Sequence, residues 1–526
     1  MLTTPPSTTT RPAGRSGRFV LTLDHVWLAA ALMLIALRPL LTPIPPNDFW
    51  WHMATGRAIV AQGEIPLLDG FSYTQAGQPF FNQGWLAQLL MYGLYESGGL
   101  ALIYLVQALV IALAYGLLLR LCLVRTGQVQ LSVGLLLLTT LPLSFDNWLV
   151  RPQSYAFPLF VGFLAILTEY RLGGKNRLWL LPLLMALWVN IHGSFVLGGV
   201  LIAITLAAEW LKRRIAGWRE AASWASKPIG APEDVLSRPA PAQLPALLPL
   251  LLWGAATALA LLLNPRGLGV IGYVRNLLGT SAVTSLVTEW ASPTIRDPGG
   301  MIFFLFLLVC IAVLTYARRR PDLTDLLLFF AFLWNALGAS RNIVWFGFVA
   351  TLLVVVQAAT LIGEPRKARR AVGSPTLNAA LIGVLALMLV IASPWVKPSL
   401  DLPPSIGALL SEDTPVDAVA YLRAQPDRPQ RLFHSEAYGS YLIWQAPEQP
   451  VFIDTRIELY PYEQWRDFIN LSQGNNTAAL IAKYQIDGLL LDAVRQKSLI
   501  EIARRDGGWV ERYKDEHTVY FTRSAK

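Results

Sequence analysis

The chain has 526 residues, 54% of them hydrophobic and 15% charged, with a net charge of +9. A soluble fold of that apolar fraction would have too little polar surface to show water, so most of the chain must face lipid. Nucleic acid is excluded as the partner of the positive charge: no reader motif is present, and the basic residues form short runs between apolar segments, such as Lys212-Arg213-Arg214, Arg318-Arg319-Arg320 and Arg366-Lys367-Ala368-Arg369-Arg370.

Such runs set membrane topology and suit anionic lipid headgroups. The two cysteines, Cys122 and Cys310, lie inside apolar segments and read as small packing residues. Residues 1–25 are Thr/Pro-rich and carry Arg11, Arg15 and Arg18; they read as a disordered tail. No small-residue cleavage site follows the first apolar run, which therefore reads as an uncleaved span.

A bilayer core of ~30 Å needs ~20 apolar residues per helix, fewer where a helix is short or re-entrant. The candidate spans are Val26–Ile44, Leu100–Val124, Leu131–Phe145, Ser154–Tyr170, Leu178–Ile191, Ser194–Leu211, Leu244–Asn264, Met301–Ala317, Leu323–Ala339, Ile343–Gly363 and Leu377–Pro394. They make about eleven transmembrane helices over residues 26–394. Trp85–Tyr95 reads as a helix lying at the interface. Alternate connections carry 21 and six Lys and Arg residues respectively. This asymmetry puts the N-terminus in the cytoplasm and residues 395–526 outside the cytoplasmic membrane.

Past the proline-rich linker Pro394–Pro404 the composition turns globular. Arg431–His434, Pro450–Asp454 and Ile486–Asp492 read as strands, and Trp509–Tyr513 with His517–Thr522 as a closing hairpin. Glu458–Leu471, Thr477–Tyr484 and Gln496–Arg505 have helical periodicity. Strands alternating with helices predict a small exterior α/β domain with a largely parallel sheet.

The first outer loop, residues 45–99, is long in a chain of short connections, and its aromatics argue for a folded cap. It holds Pro45-Pro-Asn-Asp48-Phe-Trp-Trp51-His52, then Gly63-Glu-Ile-Pro-Leu-Leu-Asp69-Gly-Phe-Ser-Tyr73. Asp48 would stand at the bilayer edge, with His52 on the same face if the segment is helical. The pair could deprotonate a hydroxyl or hold a metal ion, or Asp48 could simply cap the helix Phe49–Gln62. Asp69 with Ser72 could form a turn. Asp146, Arg151, His192, Arg266, Glu289 and Arg341 fall in other outer connections. Their convergence on one side suggests a polar cavity, where arginines could clamp a phosphate. Asp454 and Arg456, after an expected strand, read either as a site at the strand's carboxyl end or as a buried ion pair.

The run Asp48-x-Trp-Trp-His52-x-x-x-Gly56, the following Gly63-Glu-Ile-Pro66-x-x-Asp69-x-Phe-Ser-x-Thr74 and an exterior C-terminal α/β domain resemble bacterial membrane glycosyltransferases of the GT-C superfamily. That superfamily includes protein O-mannosyltransferases, aminoarabinose transferases and the oligosaccharyltransferase catalytic subunit. The resemblance implies transfer of a sugar from a polyprenyl-phosphate carrier to a glycan, lipid or protein acceptor, with an inverting displacement. It makes Asp48 the base or, with His52, the holder of a divalent ion such as Mg or Mn. Arg151, Arg341 and Arg266 would bind the leaving phosphate, and His192, Glu289, Asp69 and Trp51 the rest of the substrate. Glu289 or Asp146 would supply a second acidic residue. His434-Ser-Glu436-Ala-Tyr438-Gly439 echoes the aromatic-Asp-Tyr-Gly motif of oligosaccharyltransferases without its paired tryptophans. A transporter or flippase of a lipid-linked substrate, or a non-catalytic scaffold, are the competing classes.

Overall fold

In lipid every backbone N–H and C=O must be bonded within the chain, and a helix meets that demand residue by residue. The computed structural model describes residues 20–143, 147–215, 244–279, 288–362 and 373–524, and every apolar segment predicted above is helical in it. The helices are α1 (Leu23–Leu41), α2 (Asp48–Gln62), α3 (Trp85–Thr126), α4 (Val129–Leu143), α5 (Pro152–Arg171), α6 (Leu180–Trp188) and α7 (Val196–Arg214). They continue as α8 (Leu247–Ala260), α9 (Gly269–Gly279), α10 (Pro298–Tyr316), α11 (Leu323–Gly338), α12 (Ile343–Ile362) and α13 (Pro375–Ile391). Among the described residues five helical stretches are long and apolar enough to cross a membrane, and several others are shorter but equally apolar. Asp146, the Arg366–Arg370 run and the Arg238 end of the basic stretch after Lys212 lie outside the described residues.

Within α3 the segment Trp85–Tyr95 belongs to a first helix, distinct from the span that follows: Gly98 and Gly99 leave helical geometry between the two, and Gly99 sits at φ +60°, a left-handed conformation that a side chain would strain.

The 20 residues of α5 span ~30 Å, which sets Arg151 and Arg171 at opposite ends of the bundle. At the Arg171 end, Arg171 donates to Asp322 at 2.6 Å and pairs with Asp325, while Lys212 reaches Glu209 at 2.6 Å and Asp322 at 2.7 Å. Arg125 joins from α3 at 3.6 Å from Asp325. Three of the basic residues that signal topology are thus buried against protein carboxylates rather than presented to lipid headgroups. They tie α3, α5, α7 and α11 together.

At the other end sits the C-terminal domain. Its sheet runs β1-β2-β4-β3, with β1 (Leu432–His434), β2 (Gly488–Asp492), β3 (Trp509–Lys514) and β4 (Thr518–Arg523). Only β1 and β2 pair in parallel; β4 lies antiparallel to both β2 and β3. The expected parallel sheet is therefore mixed, because the closing hairpin supplies half the strands and inserts beside β2. Pro450–Asp454 is not a strand of this sheet either: Val451 bridges in parallel to Ser72 of the first outer loop.

That bridge is one of many ties between the loop and the domain. The Ile44 N–H donates to the Leu409 carbonyl and the Ser411 N–H to the Ile44 carbonyl, and Arg57 donates to the carbonyls of Ile443 and Trp444. Lys397, buried just after α13, donates to the Leu40 carbonyl at 2.7 Å and so caps the end of α1.

The strongest tie is Arg456. Its guanidinium is fully buried, donating to Asp454 at 2.6 and 2.9 Å and to Asp69 at 2.7 Å, with the rings of Phe71 and Phe80 each 5.1 Å away. The Asp454–Arg456 alternative resolves as the buried ion pair. Asp69, expected to bind substrate, is a correction: its other carboxylate oxygen is taken by Ser72, and it faces Arg456 rather than any cavity. Removing one partner of such a network leaves unpaired buried charge. Arg456→Ala should cost about 3–5 kcal/mol, seen as a drop in melting temperature of the detergent-solubilised protein. Arg456→Ala with both Asp69→Asn and Asp454→Asn should recover part of the loss; a single variant as stable as wild type would contradict the clamp.

Candidate active site

The clamp leaves a cavity of about 700 Å³ between the helix ends and the C-terminal domain. Asp48, Trp51, His52, Arg151, His192, Glu289 and Arg341 all line it, although they come from five separate stretches of chain. Asp48 is the first residue of α2, with Asn47 at the cap position. One helical turn on, His52 follows on the same face. The helix-cap reading of Asp48 therefore falls away, and its carboxylate points across the cavity instead.

Its target is Arg151, the residue before α5. Arg151 Nη1 lies 3.6 Å from Asp48 Oδ2 and 3.0 and 3.1 Å from the two oxygens of Glu289, which sits in the turn Thr288–Trp290. The arginine side chain is 9% exposed, while Asp48 and Glu289 are 29% and 33% exposed to the cavity space. One nitrogen thus serves both carboxylates. Nε and Nη2 of Arg151 are buried with no partner, a costly state for guanidinium N–H groups unless an acceptor in the cavity completes it.

Arg341, in the turn before α12, lies over the Trp290 ring at 4.8 Å and reaches Gln153 at 3.5 Å. His52 stacks on Trp51 with ring centres 3.6 Å apart, and the Gln88 amide bonds its Nδ1 at 3.1 Å. The Nδ1 of His192 accepts the Ser194 N–H at 3.1 Å. Both rings are held neutral. Burial first, then Arg151 and Arg456, push the pKa of His52 well below the ordinary 6.5, and burial, Arg341, Arg151 and His52 do the same to His192.

Arg266 does not reach this cavity. Its guanidinium covers Phe81 at 4.0 Å and donates to the Phe80 carbonyl at 3.2 Å, lining a separate small pocket. This corrects the expectation that it holds phosphate. The sequence reading passed over Tyr273 of α9, Glu458 and Arg495, which do line the cavity. Tyr273 stacks on Phe81, a pairing between distant segments that no local pattern signals. Glu458 follows the Asp454–Arg456 pair in a stretch that reads as the start of a helix.

Among the described residues no three His, Cys, Asp or Glu side chains gather in one place to hold a metal ion. The positive charge between Asp48 and Glu289 is supplied by Arg151 itself.

No family model matches the sequence, and no curated protein does. Solved structures do match. The oligosaccharyltransferase of Archaeoglobus fulgidus in its apo form aligns with a TM-score of 0.54 at 13% identity, covering 95% of this chain and 74% of that one. The same enzyme tethered to an acceptor peptide containing the NVT sequon aligns at 0.53 and 13%, with the same coverage. ArnT from Cupriavidus metallidurans in the apo state aligns at 0.50 and 12%, covering 94% of this chain and 97% of that one. The chain has the GT-C fold. In this chain the cavity lies where the first outer loop, the helix ends and the C-terminal domain meet.

Buried neutral histidines make stability pH-dependent. His434 donates from Nδ1 to the Ser435 carbonyl and accepts the Phe452 N–H at Nε2, and burial pushes its pKa down to about 4. With His52, His192 and His434 all depressed, the unfolded chain takes up protons first as pH falls. Their contribution is complete above about pH 6.5 and drains below it, the His434 share ending near pH 4 and reaching roughly 3 kcal/mol at most. Melting temperature should fall across that window, and His434→Gln should flatten the slope; a level wild-type profile would contradict these assignments.

Proposed function

We propose that this chain is a membrane glycosyltransferase that moves a sugar from a polyprenyl-phosphate carrier to an acceptor on the outer face of the cytoplasmic membrane, with the N-terminus in the cytoplasm. The observation that carries the proposal is Arg151. It is buried beside two carboxylates with two of its three nitrogens unpartnered and the cavity before them. A phosphate group would complete those donors in the paired geometry that guanidinium favours. Arg341 adds a second positive charge in the same cavity.

Other features support a lipid-linked donor. Val196, Leu197, Val200 and Val274 give the cavity an apolar side toward α7 and α9, suited to the first units of a prenyl tail. Trp51 and Trp290, which carry His52 and Arg341 on one face each, complete the lining with aromatic surface. The basic asymmetry of the connections supports the orientation. Transport across the bilayer is less well served: the buried charge clusters described above stand at the ends of the bundle, whereas carriers place theirs near the midplane.

Catalysis in this reading is mostly electrostatic. Arg151 and Arg341 hold the phosphate and stabilise the negative charge that builds on it as the glycosidic bond breaks. A cavity carboxylate takes the acceptor's proton. Asp48 and Glu289 keep Arg151 oriented, in the way a carboxylate positions a partner's donors.

Purified full-length protein in lipid, given an envelope extract as the source of acceptor, should move radiolabel from a polyprenyl-phosphate sugar into that extract. Arg151→Gln should lower that transfer roughly hundredfold or more, and Arg151→Lys should not restore it, because an ammonium cannot supply the planar fork. Unimpaired Arg151→Gln, or absence of transfer by the wild type from the whole range of polyprenyl-phosphate sugars, would contradict the proposal. Chelation of divalent ions should leave wild-type transfer unchanged, since Arg151 occupies the position between the carboxylates; loss that added Mg or Mn restores would show the opposite.

A further inference from the structure

The cavity has two poles. The helix ends contribute the guanidiniums of Arg151 and Arg341, and the C-terminal domain contributes two carboxylates, Glu436 and Glu458, beside Arg495, which lies 3.8 Å from its own partner Asp492. Asp48 and Glu289 are both spent on Arg151. Among the described residues no basic side chain pairs with Glu458, whose neighbours in sequence are bound elsewhere. Arg456 is locked between Asp454 and Asp69, and Tyr460 donates its hydroxyl to Asp454 at 2.6 Å. Both are buried, while Glu458, in the turn Ile457–Leu459 between them, is exposed to the cavity. The ion-pair clamp therefore fixes a carboxylate that is itself left unpaired.

Resting on the glycosyl-transfer reading above, we infer that Glu458, rather than Asp48, is the general base that takes the acceptor's proton. The choice follows from what each carboxylate already does. A proton on Asp48 would break its ion pair with Arg151 at the moment when that arginine must steady the leaving phosphate. A proton on Glu458 breaks no ion pair. In the step, the acceptor oxygen forms its bond to the anomeric carbon as its proton passes to the Glu458 carboxylate. The bond from that carbon to the phosphate oxygen breaks, and its electron pair leaves with the prenyl phosphate. The proton is then released from Glu458 to solvent or to the departing phosphate.

The electrostatics around Glu458 agree. Desolvation inside the cavity raises its pKa; its own backbone N–H opposes this, Asp48 adds to it, and Arg456 and Arg341 work against it, for a net rise. A base whose pKa approaches the working pH gives the best combination of ionised fraction and driving force. The charged and titratable groups facing it are Asp48 from α2, Arg341 from the turn before α12, Tyr273 from α9, and Arg456 from its own segment. Glu436 and Arg495 line the same cavity. His52 and His192 are already neutral at the pH of interest, so neither accounts for a limb there.

The test uses purified full-length protein in lipid with a radiolabelled polyprenyl-phosphate sugar that the wild type consumes, and it reads kcat and donor KM against pH. Wild-type kcat should rise with pH through one acid limb. Glu458→Gln should lower kcat by about 10²–10⁴-fold, leave donor KM within about threefold, and abolish the limb. Glu458→Asp should keep part of the rate and displace the limb, which decides the matter should the Gln variant fold poorly. Asp48→Asn should lower the rate and raise donor KM while keeping the limb. A Glu458→Gln enzyme with wild-type kcat and an intact limb, or an Asp48→Asn enzyme without one, overturns the inference while leaving glycosyl transfer standing. A wild type that consumes no polyprenyl-phosphate sugar fails the parent reading before any variant is compared.

Discussion

One guanidinium organises the centre of this molecule. Arg151 draws Asp48 from the start of α2 and Glu289 from the turn before α10 onto the mouth of α5, through a single nitrogen. A buried cation needs compensating charge, so the two carboxylates are the condition for Arg151 being there. Because they take only one of its nitrogens, the others remain available to an anion. Structure and chemistry meet in that surplus: the pair of ion contacts holds the site together, and the unspent donors are what it can offer a substrate.

Arg456 plays the complementary part in the C-terminal domain. Shared between Asp454 and Asp69, it fastens the first outer loop to the domain and closes the cavity on the side away from the helices. The Ser72–Val451 bridge and the contact of Trp50 with Tyr441, ring centres 4.9 Å apart, extend the same seam. The opposite end of the bundle is pinned by a third ionic group around Asp322 and Asp325. With both ends fixed by buried charge, the helices between them can be plainly apolar, and the polar chemistry is confined to one face.

Much of this was legible in the chain. Lipid demands long apolar runs, and those runs mark the helices with little ambiguity, so the predicted segments coincide with α1, α3 to α8 and α10 to α13. The pairing of Asp48 with His52 on one face followed from helical spacing, and the side of the membrane shared by Arg151, Glu289 and Arg341 from counting connections. Sidedness does not give distance, however. Arg266 is on the same side yet spends itself on Phe81, because a guanidinium close to an aromatic face finds a partner before it reaches the cavity. Asp69 looked like a ligand since its partner lies 387 positions away, a separation that no local pattern encodes. Pro450–Asp454 has the composition of a strand, but only Val451 bridges, and its partner is the outer loop, not the sheet. Glu458 was hidden for a related reason: its significance comes from what Arg456 and Tyr460 do on either side of it.

The account rests on Arg151 recognising a lipid-borne phosphate, and binding tests that without knowledge of sugar or acceptor. Purified full-length protein should be titrated with polyprenyl phosphate and with the matching uncharged polyprenol, monitored by native mass spectrometry or thermal shift. Preferential binding of the phosphate that disappears in Arg151→Gln is the predicted result. Equal binding of the two lipids, or a phosphate preference that survives the substitution, would contradict it.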